Sequence, residues 1–133
     1  MDEVSDLYPP PEGKTVLGGF SQGGMMAYRT GLPRPERFAG IAALSSVVAG
    51  KREIESSMPE SRSQAIFASH GTADTMIPVT DARQGIDFLR SKGYEPEYSE
   101  YSMGHEVSLD VLANLTAWIH KVVAPIYPNS EPM

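Results

Sequence analysis

The sequence predicts an α/β domain of about four parallel strands with helices packed against them. Two observations carry this. Short apolar runs alternate with stretches of helical periodicity from residue 14 to residue 123. Glycine or proline punctuates the alternation at Gly31, Pro33, Gly50, Pro59, Gly93 and Pro125. At 133 residues the chain has room for one domain over 1–133.

The elements follow in order. The first strand covers 14–19 (KTVLGG), and a helix over 22–30 ends at Gly31 and Pro33. A second strand covers 39–44 (AGIAAL). Residues 46–62 are polar and predict a loop with one short helical turn near 53–57. The third strand covers 65–69 (AIFAS). A helix over 80–92 follows, with Ala82, Ile86 and Leu89 on one face and Gly93 at its end. The fourth strand covers 97–101. A last helix over 108–123 carries Leu112, Leu115, Ile119 and Val122, with Ser108 as N-cap. The prolines at 9–11 predict an entering turn, and 124–133 reads as a frayed tail. Right-handed crossovers make the four strands parallel neighbours, and ligands then sit beyond their C-terminal ends.

Composition excludes several classes. A net charge of −6 argues against a nucleic-acid partner, which calls for a basic patch. The pairs Arg34/Arg37 and Lys51/Arg52 read as solvated loops. With no cysteine there is no disulfide, thiolate zinc site or cysteine nucleophile. The acidic start, Met-Asp-Glu-Val-Ser, lacks the basic and apolar regions of a signal peptide. No apolar run approaches the roughly 18 residues that span a bilayer. Together these predict a cytoplasmic protein without an integral membrane segment.

Chemistry concentrates at three places. Gly19-Phe20-Ser21-Gln22-Gly23 matches G-x-S-x-G between a strand and a helix, the context that gives the motif meaning. There Ser21 sits on a tight, strained turn. Side chains two residues to either side of it are expected to strike backbone, which glycine avoids. The hydroxyl stands at a helix N-terminus, where negative charge is stabilised, and the N–H of Gln22 is a candidate oxyanion donor.

A serine hydroxyl needs a base. His120 lies on the last helix and reads as exposed. His70 ends the third strand and reads as a packed or hydrogen-bonded turn residue. His105, in a loop after the fourth strand, lies at the C-terminal edge of the sheet, and Gly104 lets its backbone turn inward. An acid between serine and histidine fits the chain order of such sites. Asp74 is the one acid in the loop after the third strand. Asp81 is the alternative, at a helix start where acids also serve the dipole. His70, Asp74, His105 and Glu106 form the rival metal reading, but they lack a recognised ligand spacing.

GGFSQGG at 18–24, HGTADTMIP at 70–78 and YSMGHEV at 101–107 together resemble the carboxylesterase/phospholipase family that includes the acyl-protein thioesterases. FAGIAALSS at 38–46 is similar to that family's strand after the first helix. The resemblance covers 14–123. It implies a partial α/β-hydrolase fold, a triad of Ser21, Asp74 and His105, and no cofactor. It also implies small ester or acyl-thioester substrates, S-acylated proteins among them. The loop after Ser45 would border the acyl site, and Met25, Met76 and Met103 could add soft apolar walls.

The front of the chain departs from the family. A second oxyanion donor is expected from a Gly-rich loop upstream of the Ser21 strand, and no H-G-x-G-D-like segment precedes it here. The sequence therefore reads as N-terminally truncated. Loss of one donor costs about 100- to 1000-fold in rate. The Ser21 strand would also be a sheet edge open to self-association. Two functions follow: an active serine esterase or thioesterase, or an impaired fragment acting as a binding or oligomerising module.

Overall fold

The computed structural model describes residues 15–123; the entering turn and the tail expected from the sequence lie outside them. Eight elements alternate: β1 (Val16–Phe20), α1 (Gln22–Gly31), β2 (Gly40–Leu44), α2 (Lys51–Ser56), β3 (Ala65–Gly71), α3 (Val79–Ser91), β4 (Glu97–Tyr101) and α4 (Leu109–Val122). The sheet runs β1-β2-β3-β4, every pair parallel, as the alternation predicts.

Strand periodicity sorts the core into two layers. Ile41, Ala43, Ile66 and Ala68 face one side, where Ala27 and Tyr28 of α1, Ile54 of α2, and Ile86 and Leu89 of α3 cover them. Ala42, Leu44 and Phe67 face the other, under Val111 and Trp118 of α4. Each layer removes apolar surface from water, at roughly 25 cal/mol per Å². β1 is the outer strand on one side of the described sheet, with Phe20 41% exposed.

Three expectations need correction. The helical turn in the 46–62 loop is the six-residue helix α2, starting two residues earlier; Gly50 precedes it at φ 72 and Ile54 anchors it in the core. β3 runs two residues further than expected, because His70 pairs with Glu100 and Gly71 with Tyr101. On α4, Leu112 is 45% exposed rather than buried. The seam is Val111, Leu115, Trp118 and Val122, spaced four, three and four residues apart. Trp118 sets that phase by packing on Phe67, with ring centroids 5.6 Å apart. The Ser108 cap is present: its hydroxyl accepts the N–H of Val111 at 3.3 Å.

At the β4 edge, Arg83 of α3 grips Glu100 through two bonds of 2.7 and 2.8 Å, and the Tyr98 hydroxyl donates to the same carboxylate at 2.6 Å. The Arg83 bond chiefly holds the Glu100 carboxyl down at about 2.

Candidate functional site

The site lies beyond the C-terminal ends of β1, β3 and β4, where three loops meet. Ser21 links β1 to α1. Its N–H donates to the Leu44 carbonyl at 2.8 Å, extending the sheet by one bond. Its backbone then turns to φ 58 and ψ −118, a strained conformation for a residue with a side chain. The sequence expects both motif glycines to avoid collisions, and the structure assigns that need to Gly19 alone. A Cβ on Gly19 would lie 2.2 Å from the carbonyl carbon and oxygen of Gly23, whereas a Cβ on Gly23 would meet nothing within 4 Å. The difference is orientation: Gly19 backs onto the start of α1, and Gly23 is exposed on it. Gln22 is the first residue of α1, so its N–H has no carbonyl acceptor within the helix.

Asp74 lies three residues past β3 and is 7% exposed. Its Oδ1 accepts the N–H groups of Met76 (2.9 Å) and Ile77 (2.8 Å), which fixes the carboxylate from its own loop. Its Oδ2 accepts Nδ1–H of His105 at 2.8 Å. Burial pushes the Asp74 carboxyl up, but the Ile77 N–H, His105 and the Met76 N–H together outweigh it. The net shift is downward. A carboxyl depressed in the folded chain stabilises the fold above its unfolded value of about 3.9, and that stability is lost as pH falls through the folded value. Urea unfolding of Asp74→Asn should accordingly show a shallower loss of stability than wild type as pH drops below about 4. An identical slope would contradict the assignment. Asp81 is exposed in the first turn of α3; Asp74 is the carboxylate brought to His105.

Because Asp74 is a carboxylate and can only accept, Nδ1 of neutral His105 carries the proton and Nε2 has a free lone pair. That Nε2 stands 3.0 Å from Ser21 Oγ. An alcohol, an imidazole and a carboxylate thus form one hydrogen-bonded line across 84 residues of sequence. Such a line can take the hydroxyl proton onto Nε2 while the carboxylate stabilises the resulting cation. The loops of Asp74 and His105 lie against each other because of Gly71, whose added Cβ would sit 2.2 Å from the Met103 carbonyl oxygen and 2.4 Å from that of Gly104.

The other sequence candidates separate. His70 is fully buried, and its Nε2–H donates to the Ile77 carbonyl at 2.7 Å, with Asp74 Oδ2 3.3 Å away. It is the packed residue the sequence suggests, but it touches the Asp74 loop. His120 is exposed. Met25 is half-buried, Met76 is 73% exposed, and Met103 is packed in the core with Phe67 and Trp118. Among the described residues no cluster of three or more His, Asp and Glu side chains is arranged to hold a metal ion. No helix among them is long and apolar enough to cross a membrane. Sequence reasoning missed Phe20, whose ring centroid is 4.9 Å from that of His105, and the side-chain bonds of Ser45 and Ser46. The position of Phe20 inside G-x-S-x-G and the doubled serine closing an apolar strand were the available signals.

Comparison with known proteins bears on this geometry. The Phospholipase/Carboxylesterase family profile matches residues 4–123. Acyl-protein thioesterase 1 of Mycosarcoma maydis is 32% identical over 124 residues, covering 89% of this chain and 52% of its own length. A probable carboxylesterase of Oryza sativa subsp. japonica is 34% identical over 119 residues, covering 88% and 44%. Among solved structures, Arabidopsis thaliana SOBER1 superposes with a TM-score of 0.81 at 28% identity, over 92% of this chain and 58% of its own. Esterase PE8 superposes with a TM-score of 0.81 at 26% identity, over 91% and 56%. The chain spans about half the length of the curated relatives it matches. With four parallel strands, the strand–Ser21–helix turn and a family match over nearly its whole length, the chain belongs to the phospholipase/carboxylesterase family of α/β-hydrolases.

Proposed function

We propose that this chain carries the reactive centre of a serine hydrolase that cleaves carboxylic esters or acyl thioesters through an acyl-enzyme on Ser21. One observation carries the reading: the unbroken line from Ser21 Oγ through His105 to Asp74, at 3.0 and 2.8 Å. Ser21 Oγ attacks the acyl carbonyl carbon as His105 Nε2 takes its proton. The N–H of Gln22 faces the oxyanion of the tetrahedral intermediate. Collapse breaks the bond to the alcohol or thiol, which leaves with the proton from Nε2. Water then repeats the sequence and frees the acid. Asp74 stays ionised throughout, holding the imidazole in the productive tautomer. No cofactor enters. The half-buried Met25 and exposed Met76 offer adaptable apolar surface for an acyl chain, and acylated small molecules or S-acylated proteins are the substrates.

Turnover of p-nitrophenyl esters, acyl thioesters and peptides by the full chain tests this reading. The expected result is turnover of esters or thioesters, with peptides inert. Turnover that survives Ser21→Ala would overturn it. A folded chain that neither acylates Ser21 nor turns over substrate would favour the alternative, a catalytically impaired binding or oligomerising module.

A further inference from the structure

The end of β2 lies between the loop that carries Ser21 and the loop that carries His105. Ser45 leaves the strand at φ 54, in the left-handed region that disfavours any residue with a Cβ. It is fully buried, and its N–H still donates to the Ser69 carbonyl at 2.8 Å. Its hydroxyl donates to the Glu106 carbonyl at 3.0 Å, one residue past His105. The next residue, Ser46, donates its hydroxyl to the Ser21 carbonyl at 2.7 Å. In an extended strand adjacent side chains point to opposite faces. The left-handed turn at Ser45 breaks that alternation, so two consecutive hydroxyls both reach the site, the first on the His105 loop and the second on the Ser21 turn. Gly24 makes the second contact possible: a Cβ there would lie 2.6 Å from the Ser46 Cβ and 2.7 Å from its Oγ.

We propose that Ser45 and Ser46 are positioning residues, a two-hydroxyl clamp that holds the His105 loop and the Ser21 turn at hydrogen-bonding distance from each other. The proposal rests on the reading of Ser21 and His105 as nucleophile and base. Neither clamp hydroxyl touches the reacting atoms. Each ties down the backbone beside one of them, and strain at Ser45 is tolerated where it fixes a functional geometry. Displacement of about 1 Å at such a site costs on the order of 100-fold in rate.

Ser45→Gly removes one hydroxyl and relieves the strained φ, and Ser46→Ala removes the other without touching a strained residue. Two readouts are taken on the full chain: the rate of fluorophosphonate labelling at Ser21, and the NMR resonance of the His105 Nδ1 proton in its bond to Asp74. The clamp predicts labelling slowed by about tenfold or more in each variant and a broadened or shifted resonance in Ser45→Gly. Thermal midpoints should stay near wild type. Labelling within twofold of wild type and an unchanged resonance would overturn the proposal. If Ser45→Gly fails to fold, Ser46→Ala decides alone, and wild-type labelling there refutes the clamp. A wild-type chain that never labels, with a resonance still perturbed in Ser45→Gly, would end the functional reading and leave the clamp standing.

Discussion

Replacing Asp74 by Asn is expected to lower ester or thioester turnover by about 10⁴-fold while leaving the fold in place. The asymmetry comes from the two carboxylate oxygens. Oδ1 accepts from Met76 and Ile77, and an amide oxygen can keep both bonds. Oδ2 accepts from His105, and there the amide offers an NH₂ that can only donate. His105 must then turn its lone pair toward residue 74 and its proton toward Ser21, the wrong tautomer for a base. The loss should fall on kcat, because no substrate contact is removed. A circular dichroism melt beside the kinetics checks the claim: a cooperative melt at a lowered Tm, still well above the assay temperature, with collapsed kcat is expected, and near-wild-type kcat would contradict the role given to Asp74.

The second large effect is a contrast within the Ser21 turn. Gly19→Ala puts a methyl 2.2 Å from two backbone atoms of Gly23. Backbone cannot swing aside as a side chain can, so either β1 or the start of α1 must shift. Overpacking of this kind costs about 1–3 kcal/mol or more. At roughly 4 °C per kcal/mol, between the values for smaller and larger domains, Tm should drop by about 5–10 °C. Displacing Ser21 should cost activity on the order of 100-fold as well. Gly23→Ala meets nothing within 4 Å and adds a good helix former to α1, so its stability should stay within about 1 kcal/mol of wild type. Equal damage from the two substitutions would refute the geometry of the turn.

Helix and strand placement were legible in the sequence because they rest on local periodicity, and sheet order because short βα links make consecutive strands parallel neighbours. β4 could be read residue for residue, and the buried face of α3 was plain in Ala82, Ile86 and Leu89. The phase of α4 was not. Leu112 is as apolar as its neighbours, and only the docking of Trp118 on Phe67 selects the face that turns inward. The extra length of β3 was hidden for a similar reason, since the apolar run stops before Ser69 and His70 in sequence, but His70 and Gly71 still pair with Glu100 and Tyr101 across the sheet.

In the candidate site, Ser21, Asp74 and His105 could be named because each chemistry demands a residue type in a particular loop. The supporting contacts could not. Ser45 and Glu106 are separated by 61 residues, and a carbonyl acceptor leaves no mark in sequence. Gly23 illustrates the opposite failure: the pattern G-x-S-x-G assigns both glycines one role, and only three-dimensional packing tells them apart.

The central claim is that residue 21 carries an activated alcohol. Mass mapping of the full chain after exposure to a fluorophosphonate tests it most directly. The expected outcome is one covalent adduct on the peptide containing Ser21, absent from His105→Ala. An unmodified chain, or an adduct on any other serine, would contradict it.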